Sequence, residues 1–190
     1  SEIDFLAHHT VRGTPTLPGA WIVDLMVTAA LELCGGDAAI RSVTARDATF
    51  YRFVRRTQSE RNLRVVAQEA GRQIAVWMIG DICHASGKVL TKDVVFAEAV
   101  LAFDRAAGPA GASARDDEVQ AWRAGEPRLQ DPYCSGRRED IVLSGPFDCV
   151  RDIAIRPTGR RARFDPGHSP LASHSIPALV LDAALRVGAM

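Results

Sequence analysis

The stretch LAHHTVRGTPTLPGAW (6–21) sets two adjacent histidines, His8 and His9, ahead of a Gly/Pro-rich turn and an apolar run. Near the other end, SIPALVLDAALRVGAM (175–190) holds one carboxyl, Asp182, among Leu179, Val180, Leu181 and Leu185. These side-chain types suit proton transfer. A neutral imidazole, with a pKa near about 6.5, takes a proton readily at physiological pH. A carboxyl in apolar surroundings loses the hydration of its charged form, so its pKa rises and it can serve as the acid. Each residue also has a plainer reading. His9 alone fits a hydrogen-bonded turn or core histidine, and Asp182 alone fits a surface carboxylate paired with Arg186 at i,i+4.

Two apolar segments must position these groups. Residues 18–34, PGAWIVDLMVTAALELC, carry Trp21, Leu25, Thr28/Ala29 and Leu33 at helical spacing, with Pro18 opening and Gly35-Gly36 closing the segment. The pattern predicts a helix buried on nearly every side. Residues 175–190 read as a second apolar helix opened by Pro177, and in each helix one acid, Asp24 or Asp182, follows soon after the proline. That weak internal repeat suggests a duplicated unit. Between the helices, 40–54, 61–70, 72–90 and 94–103 have strand character and predict a long antiparallel meander, with turn signals at Gly71-Arg72 and Ser86-Gly87. DRAAGPAGASARD (104–116) reads as a linker, 117–125 as a short helix, and 140–157 and 160–166 as further strands. One apolar helix wrapped by such a sheet is an α+β arrangement.

Composition excludes several classes. With 23 Lys+Arg against 23 Asp+Glu, the net charge is zero, and there is no electrostatic case for nucleic acid or an anionic membrane as partner. No apolar run reaches the roughly 18 residues needed to span a bilayer, and no signal-peptide pattern opens the chain, so it reads as soluble and cytoplasmic. Cys34, Cys83, Cys134 and Cys149 form no C-x-x-C pair, and the five histidines lack ligand spacing, which speaks against a metal site and for scattered reduced thiols.

His9, Gly13 and Pro18 spell H-x-x-x-G-x-x-x-x-P running directly into the first apolar helix. In this the sequence resembles the dehydratase domains of polyketide synthases, and GTPTLPGAWIVDLM (13–26) is also similar to the related fatty-acid hydroxyacyl-thioester dehydratases. LSGPFDCVRDI (143–153) resembles the family's Y-G-P-x-F segment, and IPALVLDAALR (176–186) its P-x-L-L-D-x-x-x-Q/H segment. The resemblance implies an α+β double hotdog, an antiparallel sheet wrapped around a central apolar helix, twice. Residues 1–103 would form the N-terminal hotdog, 104–130 the linker and 131–190 a partial C-terminal hotdog. The chain ends eight residues after Asp182, so the expected second half is incomplete in this chain.

The family's chemistry is elimination of water from a 3-hydroxyacyl thioester to give a 2,3-enoyl thioester. By resemblance His9 is the base, with His8 one residue out of register, and Asp182 is the acid, with Asp24 as its rival. His84, His168 and His174 are structural or solvated. Gly13 would let the backbone approach the substrate and offer its N–H to the thioester oxygen. Pro18 would fix the turn, and the first N–H groups of its helix, from Gly19 on, would favour developing negative charge. Arg186 occupies the Q/H place that orients the aspartate or the substrate, and Trp21, Leu25 and Leu179 would line a tunnel. The resemblance implies no metal or redox cofactor, a substrate carried on the phosphopantetheine of acyl carrier protein, other synthase domains as partners, and a homodimer.

The sequence also departs from the pattern. Arg186 beside Asp182 would lower the acid's pKa, Ser144 stands where a tyrosine usually precedes Gly-Pro, and Phe147 follows Pro146 without the intervening residue. Alternatives on the same fold therefore stay open: a product-template-type cyclase, a double-bond isomerase, or a catalytically silent structural or carrier-docking domain.

Overall fold

A computed structural model of the protein describes residues 4–35, 40, 42–57, 60–104, 128–157, 159–165 and 178–190. The expected helix at 117–125, nearly all of the linker, Pro177, His168 and His174 lie outside the described residues. The described residues fall into two compact units, one drawn from 16–108 and the other from 1–15, 109–173 and 177–190.

The first unit is a four-stranded sheet with one helix against it. Helix α1 spans Gly19–Leu33, with Pro18 at its N-cap (φ −63°, ψ 146°). The chain leaves the helix through Gly35 at φ +74°, whose N–H donates to the Glu32 carbonyl at 3.0 Å. Strands β3 (Ser42–Phe50), β4 (Glu60–Ala70), β5 (Gln73–Cys83) and β6 (Val89–Asp104) are all antiparallel, in the order β3-β6-β5-β4. Strands β4, β5 and β6 form the expected meander. The first strand leaves it: β3 pairs with β6 rather than with β4. The segment 72–90 likewise divides at a turn, where Gly87 N–H donates to the His84 carbonyl at 2.8 Å.

Period-2 burial in β5 sends Ile74, Val76 and Met78 to the helix side, where they meet Ile22, Met26, Val27 and Ala30 of α1 and Phe96 and Leu101 of β6. Each of these side chains other than Ala30 contributes about 1.5–3 kcal/mol on burial. The helix is not buried all round, contrary to its nearly all-apolar sequence. It packs Ile22, Met26, Val27 and Ala30 on the sheet and also buries Trp21 and Asp24, while Leu25 and Leu33 are 42% and 45% exposed.

Four non-glycine residues in the strands have left-handed backbone, Asp47, Asn62, Asp93 and Asp152, with φ from 50° to 55°. All are Asp or Asn, the residues that tolerate this region best. Asp47, Asn62 and Asp152 sit within register shifts of β3, β4 and β8. The buried Asp81 ties two of them together, accepting from Asn62 Nδ2 at 2.7 Å and from Asp93 N–H at 3.1 Å. Those hydrogen bonds hold its carboxyl below the usual range.

The second unit begins with a short 3-10 helix, Phe5–His8, then β1 (His9–Val11) and β2 (Thr14–Pro15). Arg12 and Gly13 alone join these strands, both with positive φ (50° and 74°), as a type I′ hairpin turn requires. Strand β1 also pairs with β7 (Ile141–Leu143), matching His9 with Leu143. Residues 4–15 therefore fall with the C-terminal part of the chain, whereas the sequence division places them in 1–103. The expected strand 140–157 is interrupted by a 3-10 turn, Gly145–Phe147, opened by Gly145 at φ +53° and Pro146. Strands β8 (Val150–Arg156) and β9 (Gly159–Phe164) follow as an antiparallel pair. Helix α2, Ala178–Ala189, closes the chain and buries Leu179, Asp182, Ala183, Arg186 and Val187.

Candidate active site

His9, Asp182, Arg186, Gly13 and Leu179 all belong to this second unit. His9 opens β1 with its side chain half-buried, and its ring lies 5.4 Å from the Phe147 ring at a tilt of 53°, a favourable aromatic geometry. Pairing with β7 brings the His9 backbone to Leu143, which places the Gly145–Phe147 turn beside the imidazole.

Asp182 is buried on the face of α2 that carries Leu179, Ala183 and Arg186. Burial pushes its carboxyl pKa up, while the charges of Arg186 and His9 pull the other way without overcoming it. His9 thus lies within electrostatic reach of the acid. Arg186 Nε stands 3.0 Å from Asp182 Oδ2 as an ion pair, although the two atoms are not aligned as a hydrogen bond.

The geometry explains why the arginine does not bring its neighbour's pKa down. Arg186 is itself buried and spreads its donors over other groups: Nη1 donates to Asp131 Oδ2 at 2.5 Å and Nη2 to the Phe147 carbonyl at 3.0 Å, with Cys149 Sγ at 3.5 Å. Its expected place as a substrate-positioning side chain becomes a buried link between α2, the Phe147 turn and Asp131. Burial disfavours the guanidinium charge, but Asp182 and Asp131 outweigh it and keep the proton in place.

Asp131 was not singled out by sequence. It is 4% exposed and also accepts from Tyr133 N–H at 2.9 Å, an Asx turn. The Asp131-Pro132 step, a turn-initiating dipeptide, is the signal that could have found it. The same pocket holds Cys134, whose thiol is pushed up to about 12, first by burial and then by Asp131, and Cys149, also raised by burial. All four cysteines are free, but these two are poor thiolates.

Gly13 serves the hairpin turn, and a Cβ there would meet nothing within 4 Å. Pro18, Gly19, Trp21 and Leu25 belong to the first unit: Pro18 caps α1, a Cβ on Gly19 would lie 3.5 Å from the Phe50 ring, Trp21 is buried and Leu25 exposed.

His8 has a partner that its place in the motif did not predict. Its Nδ1 lies 3.0 Å from Ser144 Oγ, and its carbonyl accepts from Ser144 N–H at 3.0 Å. The ring packs so closely over Gly145 that a Cβ there would lie 2.7 Å from Nδ1. A Gly145→Ala variant is accordingly expected to lose about 1–2 kcal/mol from its left-handed backbone alone. It should also displace the imidazole from Ser144. A lowered denaturation midpoint together with a shifted His8 ring resonance checks both.

No protein-family model matches the sequence, and no curated protein matches it. Solved structures do. The fold is that of the dehydratase domains of polyketide synthases, the hotdog fold implied by the three motifs. The dehydratase domain of the CurF module of the curacin polyketide synthase superposes with a TM-score of 0.74 at 15% identity, over 96% of this chain and 64% of that one. The dehydratase domain of RzxB from Pseudomonas fluorescens gives 0.72 at 14% identity, over 98% and 65%. Two variants of the CurK dehydratase, a histidine-to-phenylalanine and an aspartate-to-asparagine substitution, both described as inactive mutants, each give 0.71 at 12% identity. They are covered over 62% and 63% of their length, so the chain spans a little under two thirds of these neighbours. Among the described residues no helix is long and apolar enough to cross a membrane.

Proposed function

We propose that the protein is a dehydratase that removes water from a 3-hydroxyacyl thioester, carried on acyl carrier protein, to give a 2,3-enoyl thioester during polyketide chain processing. The observation that supports this reading is a buried carboxyl, Asp182, whose pKa is raised and which lies within electrostatic reach of His9. His9 takes the C2 proton as the neutral base. Asp182, protonated, gives its proton to the departing 3-hydroxyl, and the C3–O bond breaks as the C2=C3 bond forms. The proton left on His9 then restores the acid, directly or through solvent, so the residues end as they began. Arg186 acts through Asp182 as a positioning residue. That CurK dehydratase variants with a histidine or an aspartate replaced are described as inactive supports a working pair of these two residue types. The phosphopantetheine-borne substrate, the other synthase domains and a homodimer belong to this reading, as do the two hotdog halves.

One observation favours a second reading, a catalytically silent domain: the 3.0 Å contact of Arg186 with Asp182. An elimination assay separates the two. On a 3-hydroxyacyl chain loaded on carrier protein or a pantetheine mimic, the wild type is expected to release the enoyl product, and His9→Ala to lose turnover by about 10²–10⁴-fold. A wild type that dehydrates neither stereoisomer would overturn the dehydratase reading.

A further inference from the structure

Ser144 lies at a sharp strand-to-turn junction. Strand β7 ends at Leu143, and the 3-10 turn begins at Gly145 with left-handed backbone. This junction exposes the Ser144 side chain. His8 stands against it from the other segment, Nδ1 to Oγ at 3.0 Å, within the reach required between a nucleophile and its base. Two features hold the imidazole there: the bond from Ser144 N–H to the His8 carbonyl, and the absence of a side chain on Gly145, over which the ring packs.

The protein contains a useful contrast. His84 Nδ1 also lies 2.9 Å from a serine, Ser86, but Ser86 N–H points at the same nitrogen at 3.2 Å. There the lone pair is shared with a backbone donor inside one turn. At His8 no other donor among the described residues competes for Nδ1. With its proton on Nε2, His8 can therefore accept the Ser144 hydroxyl proton.

We infer that Ser144 and His8 form a second reactive centre, a serine–histidine dyad that hydrolyses acyl esters and thioesters through an acyl-serine. Ser144 Oγ attacks the acyl carbonyl carbon while its proton passes to His8 Nδ1. The bond from carbon to the leaving sulfur or oxygen breaks, and the leaving group takes that proton. Water from the exposed side then attacks the ester, with His8 accepting its proton and returning it to Ser144 as the carboxylic acid departs. The N–H of Gly145, which has no partner among the described residues, follows the nucleophile directly, where an oxyanion donor is needed. The centre goes beyond dehydration and uses neither His9 nor Asp182.

The test uses 4-nitrophenyl butanoate and S-butanoyl-pantetheine, with product release followed optically and the quenched protein mapped by mass spectrometry. The expected result is a butanoyl group on Ser144 and hydrolysis that falls by about 10²–10⁴-fold in Ser144→Ala. His8→Gln should slow acylation of Ser144, and Ser86→Ala should behave as wild type. Equal hydrolysis by wild type and Ser144→Ala, acylation at another residue, or no acylation at all would overturn the dyad. Because the aryl ester carries no 3-hydroxyl, a failed elimination assay leaves this outcome readable, and the reverse also holds.

Discussion

Arg186→Met is expected to be the most destabilising single substitution in the second unit, costing about 3–5 kcal/mol. For a chain of this size that corresponds to a melting temperature lower by roughly 6–20 °C. Methionine fills much of the volume, so packing is not the main loss. The loss comes from what the guanidinium leaves behind. Asp131, 4% exposed, would keep the Tyr133 N–H and lose the Arg186 guanidinium, and the Phe147 carbonyl would lose its Arg186 donor. A buried carboxylate stripped of its partner is costly even when the original pair contributed little net stability. Lysine should recover only part of the loss, because one ammonium cannot reach Asp131, the Phe147 carbonyl and Asp182 from one position. Asp131→Asn added to Arg186→Met should be milder than the sum of the two, with a coupling of about 1 kcal/mol or more. Thermal melts of the four proteins measure it. A melting temperature for Arg186→Met within a degree of wild type would mean that the arginine does not hold this core together.

The path from sequence to structure was clear where a residue's neighbours are its sequence neighbours. The α1 helix and the β4–β5–β6 meander with its Gly71-Arg72 turn follow from local spacing and from turn residues. His9 and Asp182 could be singled out as candidates because each sits within a short signature. What escaped was long-range pairing. Nothing within residues 9–11 says that β1 will complete its hydrogen bonds with 141–143, and that pairing carries residues 4–15 into the C-terminal unit. The same pairing turned His8 from a bystander into the partner of a serine 136 residues away. Arg186 was visible as a departure from the family pattern, but its consequence for Asp182 was not. Sequence showed a cation one helical turn from an acid and implied a lowered pKa. The structure adds Asp131, 55 residues upstream of Arg186, which takes its share of that cation and leaves burial as the larger influence on Asp182.

That balance sets the expected behaviour of Asp182→Asn. The amide keeps the size and shape of the carboxyl but cannot release a proton, so elimination should fall by about 10²–10⁴-fold if Asp182 is the general acid. The pH dependence gives a sharper test than the rate. The acid works while protonated, so wild-type turnover should decline as pH rises through the raised Asp182 pKa, and the residual rate of the variant should lack that limb. Stability should carry the same signature. A carboxyl whose pKa is higher in the folded than in the unfolded chain binds its proton more tightly when folded. Its contribution is then fully present below the ordinary aspartate pKa, 3.8 here, and is lost as pH rises through the folded value. Melting temperatures across pH 3–8 should therefore slope downward more steeply in wild type than in Asp182→Asn over that window. Arg186 makes the comparison decisive. Were its charge to dominate Asp182, the wild-type slope would reverse, because a lowered carboxyl pKa adds stability as pH rises. A reversed slope with turnover unchanged by the substitution would remove Asp182 from the chemistry and leave it as Arg186's counter-ion.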